Sequence, residues 1–218
     1  MEKTKTDLLT ISNVPNLFTP DECKKIIGYS LKVQQMEKQF PDEDKEFVES
    51  DDGDVEEIED GLVDTHSCTN VAHQKYIRNI ESYLLPAHAP DSRWVFNRIN
   101  KFVRVLNSER YNFDIEGLLE PLQLTRYDEK GFYSDHIDLG GNYPESRRKI
   151  SFSIQLSNSD EYEGGEVIIK KNHQKKSISK EVGSITLWPS YFLHNVQPVL
   201  GGTRWSLVGW ISGPGHFK

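Results

Sequence analysis

Hydrophobic residues recur at helical spacing in two stretches of the N-terminal half of the chain. Thr19 and Glu22 form a capping-box pattern with Pro20 at the first helical position, which predicts that a helix begins here and runs over about residues 20–38. A second apolar stripe predicts the strongest helix of the chain, with the members Trp94, Val95, Ile99, Phe102, Val103 and Leu106. Residues 7–14 alternate weakly and fit an edge strand.

From residue 120 onward the hydrophobic period changes to two, which is the period of a strand. Residues 121–127 alternate, with Leu122 and Leu124 on one face and Thr125 and Tyr127 on the other, inward face. Residues 150–156 alternate in the same way, and short strands fit residues 166–170, 184–188 and 204–212. This pattern predicts a sandwich, barrel or jelly roll whose one face is covered by the two upstream helices.

Charge is concentrated in one part of the chain. Residues 41–60 carry twelve Asp or Glu and one Lys, a local charge of −11, whereas the whole chain of 218 residues has a net charge of −8. Such blocks repel themselves and stay solvated, so the acidic segment at 41–64 is predicted to be a loop. The functional alternatives are capture of a basic partner and a lid over a functional site. The rest of the chain has no basic stripe, so we expect no nucleic-acid partner.

Two further absences restrict the class of protein. No apolar run of the sequence approaches the ~18 residues of a membrane helix, and the N-terminus lacks the apolar region of a secretory signal, so we expect a cytoplasmic protein without membrane contact. Only Cys23 and Cys68 are present, far apart in the chain, which predicts two reduced thiols rather than a disulfide framework or a thiolate zinc site.

Three side chains are candidates for a metal site. His136 and Asp138 stand two apart, so on a strand both would project from the same face, although a surface pair in a hairpin explains this spacing equally well. His194 lies in an apolar setting and would be the third ligand, the alternative being a structural histidine. Two imidazoles and one carboxylate are the ligands of non-heme Fe(II) oxygenases, but zinc accepts similar ligands.

Arg204 and Ser206 share one face at the start of the last predicted strand. An arginine fork matches a carboxylate in a two-pronged geometry, so Arg204 can hold the distal carboxylate of a dicarboxylic cosubstrate, which a zinc hydrolase would not need. Tyr127 faces inward and can donate its hydroxyl to the same carboxylate. The alternatives are a structural ion pair for Arg204 and simple packing for Tyr127.

These motifs together resemble the prolyl 4-hydroxylase superfamily of Fe(II)/2-oxoglutarate dioxygenases, and within it the PKHD-type hydroxylases. The resemblance covers residues 94–214 and rests on residues 122–125, 127–138, 148–156, 162–166 and 194–214. It implies an α+β fold with a double-stranded β-helix (jelly-roll) core. The whole chain, 1–218, would then be one domain with N-terminal helical support over about 1–119 and the core over about 120–214.

The resemblance also assigns roles to residues of this chain. It implies that His136, Asp138 and His194 bind iron, and that Arg204, assisted by Tyr127 and Ser206, binds 2-oxoglutarate. Tyr133 and Arg148 match positions that face the substrate. The family has a His where this chain has Ser212, which leaves open whether the substrate is a peptidyl proline.

The implied activity is hydroxylation of an unactivated C–H bond of a prolyl or other amino-acid residue in a protein. The cofactor would be Fe(II), with 2-oxoglutarate and O2 as cosubstrates and ascorbate (vitamin C) as an optional addition. The alternatives are a hydroxylase of a free amino acid or small metabolite, or a β-barrel module that senses the metal or 2-oxoglutarate without turnover. A zinc hydrolase is disfavoured because no additional Glu base is evident near the three ligands.

Overall fold

The computed structural model describes residues 11–39, 77–85, 87, 90–171, 173–215 and 217 of the chain. Three sequence predictions fall on other residues: the strand over residues 7–10, the acidic loop 41–64 and the thiol of Cys68. These lie outside the described residues. The part of the predicted strand that lies within the described residues forms β1 (Ser12–Val14).

Both predicted helices are confirmed. Helix α1 (Pro20–Gln39) begins at the predicted capping box, where the Glu22 amide donates to Thr19 Oγ1 at 3.2 Å and the Thr19 amide donates to Glu22 Oε2 at 2.9 Å. Helix α2 (Arg93–Leu106) continues into one π-helical turn (Asn107–Tyr111). The apolar stripe of α2 is buried, which is why the helix forms where the periodicity indicates it.

The remaining described elements are mostly short strands joined by turns. In chain order they are β2 (Arg78–Asn79), β3 (Glu81–Leu85), β4 (Leu122–Tyr127), β5 (Phe132–His136), β6 (Arg148–Gln155), β7 (Tyr162–Gly164), β8 (Val167–Lys171), β9 (Gln174–Ser177), β10 (Ile185–Pro189), β11 (Leu193–Val196), β12 (Val199–Gly202) and β13 (Arg204–Ser212). Two 3-10 turns precede β6 and β7, over Glu145–Arg147 and Ser159–Glu161.

These strands form two larger antiparallel sheets and one two-stranded ribbon. The six-stranded sheet has the order β1-β10-β6-β13-β4-β3, the five-stranded sheet has the order β2-β5-β11-β8-β9, and β12 pairs with β7. Side chains of both larger sheets line one cavity, so the sheets face each other across it. This arrangement confirms the predicted double-stranded β-helix core with helices on one face.

The two faces of the six-stranded sheet have different chemistry. On the outer face Leu122, Leu124 and Phe152 are fully buried in one hydrophobic cluster with Ile26 of α1 and Ile99 of α2. Removing this apolar surface from water is what holds the helices on the sheet. The inner face carries polar side chains instead, as the alternation predicts, and it faces the cavity.

Two features of the fold differ from the sequence predictions. The support over residues 1–119 is not only helical, because β2 and β3 each add an edge strand, one to each larger sheet. In addition, β5 ends at His136, so His136 and Asp138 do not share a strand face; Asp138 lies in the turn that follows. The amide of Asp138 donates to the Ser190 carbonyl at 3.0 Å, which fixes this turn against the end of β10.

Replacing Glu22 with Gln should destabilise the fold in a pH-dependent way. Arg98 binds the Glu22 carboxylate through two nitrogens, at 2.6 and 2.8 Å, and this contact lowers the pKa of Glu22 from 4.5 to about 2. The ion pair therefore contributes fully to the free energy of unfolding above about pH 4.5, and this contribution is lost as the pH falls through about 2. Since the pair is partly exposed, we expect a loss of about 1 kcal/mol at pH 7.

Urea unfolding at pH 7 and at pH 3 measures the difference in the free energy of unfolding between the wild type and Glu22→Gln. This difference should be smaller at pH 3. An equal difference at both pH values would contradict a stabilising ion pair between Glu22 and Arg98. Glu109→Gln, at an exposed position, is the control and should leave the free energy of unfolding unchanged.

Candidate active site

A cavity of about 340 Å³ opens between the two larger sheets. Its wall contains the eight side chains for which the sequence predicts roles in metal, cosubstrate or substrate binding: Tyr127, Tyr133, His136, Asp138, Arg148, His194, Arg204 and Ser206. Residues that are far apart in the chain thus meet in one place.

The two histidines lie directly across from each other on neighbouring strands. His136 at the end of β5 is the register partner of His194 in β11, and their ring centroids are 4.2 Å apart. Nδ1 of His136 lies 2.8 Å from the Ser134 carbonyl, and Nδ1 of His194 lies 2.9 Å from the Phe192 carbonyl. Because a carbonyl only accepts hydrogen bonds, each Nδ1 carries the proton, and each Nε2 keeps a free lone pair for a metal.

The carboxylate of Asp138 completes a group of three. Oδ1 lies 3.8 Å from His136 Nε2, and Oδ2 lies 3.4 Å from His194 Nε2. One candidate ligand atom from each residue falls within 4.8 Å of the other two. Oδ2 is buried and has no hydrogen-bond partner among the described residues. A buried carboxylate oxygen without a partner is costly, so this observation fits a site that binds a cation.

The protonation states of these groups also suit a metal. Burial, together with the nearby His194 imidazole, lowers the pKa of His136 from 6.5 to about 4, so His136 is neutral at pH 7. Burial acts to raise the pKa of Asp138, but the His194 and His136 imidazoles outweigh it and hold the pKa below its ordinary value. Neutral imidazoles and an ionised carboxylate are the forms that ligate metals. Two nitrogens and one oxygen are a donor set suited to Fe(II).

Arg204 is buried on the inner face of β13, with 1% of its surface exposed. Nη1 lies 3.3 Å from Ser206 Oγ, and the guanidinium carbon lies 5.2 Å from the Tyr127 ring centroid. No carboxylate in the described part of the chain pairs with Arg204. A buried guanidinium without a counter-ion is costly, which favours a ligand carboxylate in this place over a structural ion pair.

Two adjacent glycines let the backbone turn closely beside Arg204 and Pro198. Gly164 and Gly165 adopt positive φ values of 74° and 64°, a conformation that side chains rarely adopt. A Cβ on Gly165 would lie 3.1 Å from Arg204 Cδ, and a Cβ on Gly164 would lie 2.4 Å from the Pro198 carbonyl oxygen. The Gly-Gly pair at the end of β7 therefore allows the backbone at Gly165 to approach the arginine closely.

Tyr133 and Arg148, predicted to face the substrate, have different surroundings. Tyr133 stacks on His136 with 3.6 Å between the ring centroids. Arg148 is engaged by protein groups: its guanidinium binds the Glu120 carboxylate through two nitrogens, donates to the Asp138 carbonyl at 3.2 Å and stacks on Trp210 at 3.8 Å. Arg148 is therefore placed to hold the turn that carries Asp138.

Ser212 does not line the cavity. Its backbone pairs with Gly117, and its hydroxyl is buried without a hydrogen-bond partner among the described residues. The position at which the family has a histidine thus offers no side chain to a substrate in this chain.

Several cavity residues were given no role in the site from the sequence. They are Arg78, Glu120, Glu145, Trp188 and Trp210. Trp188 packs edge-on against His194, with 5.0 Å between the ring centroids. The two tryptophans fall in predicted strands, but nothing in the local pattern shows that they face the site.

Comparison with known proteins shows what the core of the chain is similar to. Residues 122–212 match the family model described as the 2OG-Fe(II) oxygenase superfamily, which confirms the resemblance seen in the sequence over this part of the chain. The family implies Fe(II), 2-oxoglutarate and O2. Within it, the chain is similar to PKHD-type hydroxylases, among them one from Crocosphaera subtropica, 42% identical over 95 residues, and one from Idiomarina loihiensis, 30% identical over 115 residues.

The sequence matches are partial. The aligned region covers 43% of this chain and 43% of the Crocosphaera protein, and 49% of this chain and 51% of the Idiomarina protein. The chain thus spans about half the length of these curated relatives.

Solved structures extend the likeness of the fold over almost the whole chain. A Pseudomonas putida prolyl-4-hydroxylase, 15% identical, superposes with a TM-score of 0.63 over 95% of this chain and 94% of that one. A Trichoplax adhaerens prolyl hydroxylase, solved with a hypoxia inducible factor peptide fragment, is also 15% identical and gives a TM-score of 0.64 over 93% and 83%. Among the described residues, neither helix has the length and apolar character needed to cross a bilayer.

Proposed function

We propose that this protein is an Fe(II)/2-oxoglutarate-dependent oxygenase that hydroxylates an unactivated C–H bond, with a prolyl or other amino-acid residue of a protein as the leading substrate. The observation that carries the proposal is the buried oxygen of Asp138, which lies between two histidine Nε2 atoms. It has no hydrogen-bond partner among the described residues, and the same cavity holds a buried arginine that pairs with no carboxylate among them. A metal ion explains the first feature and a dicarboxylate cosubstrate explains the second.

The metal would be held by Nε2 of His136, Nε2 of His194 and the carboxylate of Asp138. The backbone carbonyls on the two Nδ1 atoms fix the ring orientations, and Arg148 fixes the Asp138 turn through its carbonyl. Three protein ligands leave the other coordination positions open for a cosubstrate and O2.

The cosubstrate 2-oxoglutarate would place its distal carboxylate against Arg204. Ser206 Oγ accepts from the guanidinium, which lies over the Tyr127 ring, and Tyr127 lines the same cavity. Burial raises the pKa of Tyr127 to about 12, so the hydroxyl keeps its proton at working pH and can donate it to a carboxylate.

The bound iron would supply the oxidation, in which 2-oxoglutarate, O2 and a substrate C–H group give succinate, CO2 and the hydroxylated product. The protein residues position the substrate and keep water from the reacting atoms. Trp188 and Val167 supply apolar surface to the cavity beside the ligands, and Tyr133 covers His136.

The substrate is inferred from the shape of the site and from the solved neighbours. The cavity extends beyond the metal and Arg204 to Tyr133, which a sensor without turnover would not need. One neighbour holds a peptide, which supports a peptide substrate, and a free amino acid is the alternative. We include ascorbate as an optional reductant for iron, and we keep the cytoplasm as the compartment because Fe(II) and the free, buried thiol of Cys23 both suit reducing conditions.

The test is anaerobic loading with Fe(II), followed by addition of 2-oxoglutarate, air and a panel of peptides and free amino acids. We expect succinate to form, its rate to rise with the correct substrate, and that substrate to gain the mass of one oxygen atom. Protein loaded with Zn(II) is the control, since zinc fills the same ligands without redox chemistry. Saturable 2-oxoglutarate binding without succinate would indicate a sensor, and hydrolysis by the zinc form would overturn the proposal.

A further inference from the structure

Six side chains that line the cavity can carry a full charge at neutral pH, apart from the two histidines. Three are guanidiniums and three are carboxylates: Arg78, Arg148, Arg204, Glu120, Asp138 and Glu145. A buried charge is stabilised by an opposite charge, so the ion pairs among these six groups show which of them can bind a charged ligand.

All three carboxylates already face cationic or metal-binding groups. Glu120 holds Arg148 through both of its oxygens, and Glu145 lies 3.7 Å from the same guanidinium. Asp138 lies between the two histidines. Arg148 therefore has its ion-pair partners within the protein, and the three acidic side chains of the cavity already face other groups than Arg78 or Arg204.

Two guanidiniums remain without a carboxylate partner in the part of the chain that the structure describes, Arg204 and Arg78. The proposed function assigns Arg204 to the distal carboxylate of 2-oxoglutarate. One dicarboxylate cosubstrate, bound through its other end at the metal, cannot also satisfy Arg78. Arg78 can therefore bind a second anionic group.

Arg78 lies close to the metal ligands but is not one of them. It stands in β2 at the edge of the five-stranded sheet, where it is the register partner of Tyr133, and its guanidinium carbon lies 5.7 Å from the Tyr133 ring centroid. Tyr133 in turn stacks on His136. Arg78 is half-buried and lines the cavity, so its planar fork is accessible both to solvent and to a molecule that enters the site.

We infer that Arg78 is the substrate-recognition residue of this site and that the substrate carries a carboxylate close to the carbon that is hydroxylated. The inference rests on the proposed function and narrows its substrate class. A guanidinium binds a carboxylate with two parallel, charge-assisted hydrogen bonds, and the Tyr133 ring beneath it restricts its orientation. The carboxylate can be the α-carboxylate of a free amino acid or chain end, or the side chain of an acidic residue beside the target.

The experiment measures binding without turnover. The protein is loaded with Zn(II) and with saturating N-oxalylglycine, a non-reactive 2-oxoglutarate analogue that occupies Arg204, and titrated with two matched pairs of probes. The first pair is N-acetyl-L-proline and N-acetyl-L-prolinamide. The second pair is the acetylated and amidated dipeptides Pro-Asp and Pro-Asn. Calorimetry or ligand-detected NMR gives the dissociation constants, and the pair that shows discrimination identifies the source of the carboxylate.

We expect the wild type to bind the acid of at least one pair about tenfold more tightly than its neutral partner. Arg78→Gln should bind both members equally, and Arg78→Lys should keep part of the preference, since it keeps the charge but not the fork. Arg93→Gln, which removes an exposed arginine outside the cavity, is the matched control and should behave as the wild type. Thermal unfolding checks that each variant is folded.

Equal binding of acid and amide by the wild type, or no binding of any probe at about 10 mM, overturns the inference, as does a preference that survives in Arg78→Gln. The result is independent of the proposed activity, because no turnover is needed. If the protein prefers the carboxylate probe but forms no succinate, Arg78 is an anion-binding residue and the proposed oxygenase activity is wrong. If succinate forms without this preference, the oxygenase activity stands and the inference about Arg78 is wrong.

Discussion

Asp138→Asn is expected to lower 2-oxoglutarate turnover by at least about 100-fold, because even loss of an outer-shell partner of a metal ligand typically costs 10–100-fold. The variant keeps the shape of the side chain but removes the only carboxylate that faces His136 and His194 among the described residues. The two imidazoles then have no anionic ligand beside them. Metal affinity falls, and activity falls with it.

The same variant should lose the stabilisation of the protein by its metal. A ligand that binds only the folded state at 100 times its Kd adds about 2.7 kcal/mol, which is roughly 5–10 °C in Tm for a chain of this size. Differential scanning fluorimetry with and without Mn(II), under conditions that saturate the wild type, measures this shift. We expect it to be absent in Asp138→Asn.

Asp135→Asn is the matched control, since Asp135 lies only three residues earlier. Its carboxylate is partly exposed and binds Lys170 and Asn195 rather than the histidines. This variant should keep both the metal-dependent shift in Tm and the turnover. Retention of the shift in Asp138→Asn, or its loss in Asp135→Asn, would show that the metal does not bind where we place it.

Arg204→Met is expected to raise the KM for 2-oxoglutarate by roughly 100-fold, because removing one partner of a buried, hydrogen-bonded charge pair costs about 2–5 kcal/mol. Methionine keeps the length of the side chain and removes the guanidinium. The value of kcat at saturating 2-oxoglutarate should change less than KM, since the distal carboxylate is bound equally before and during the reaction.

Stability distinguishes this role from a structural one. Arg204 is buried and unpaired among the described residues, so a neutral side chain in its place should not lower the free energy of unfolding in the absence of 2-oxoglutarate by more than about 1 kcal/mol. Steady-state kinetics and urea unfolding of the same preparations test both statements. A large loss of stability with an unchanged KM would identify Arg204 as a structural residue.

The control for this experiment is Arg126→Met, on β4. Arg126 is partly exposed and pairs with Glu81 and Asp128 on the face opposite to the cavity. Its removal should leave the KM for 2-oxoglutarate unchanged. An increase in KM of similar size in both variants would point to a general effect of net charge rather than to a binding site.

The elements of the fold could be predicted where burial on one face leaves a clear period. The stripe that begins at Trp94 became α2, and the alternation after residue 120 became β4, β6 and β13, because a helix or strand must present its apolar positions to one neighbour. The shorter strands β2, β5 and β11 were missed. They have too few residues for a period, and their strand conformation depends on hydrogen bonds from partners elsewhere in the chain.

The site was predictable as a set of residues but not as an arrangement. Motif resemblance pointed to His136, Asp138, His194 and Arg204, and the structure brings all four to one cavity. The motif resemblance did not show that Asp138 lies beyond the strand, or that Arg148 is bound by Glu120. An ion pair between distant residues leaves no trace in the local pattern of either one.

The sequence by itself determined the class of fold, the two helices, the long strands and the types of side chain available for metal and cosubstrate. These follow from local periodicity and from motif spacing. Only the tertiary structure decided that His136 faces His194 across two strands and that the Asp138 carboxylate lies between them. It also decided that, within the described ranges, Asp138 Oδ2 has no hydrogen-bond partner and Arg78, beside Tyr133, has no carboxylate partner. The physical reason is that strand register and charge pairing are set by contacts between segments far apart in the chain, which no local window contains.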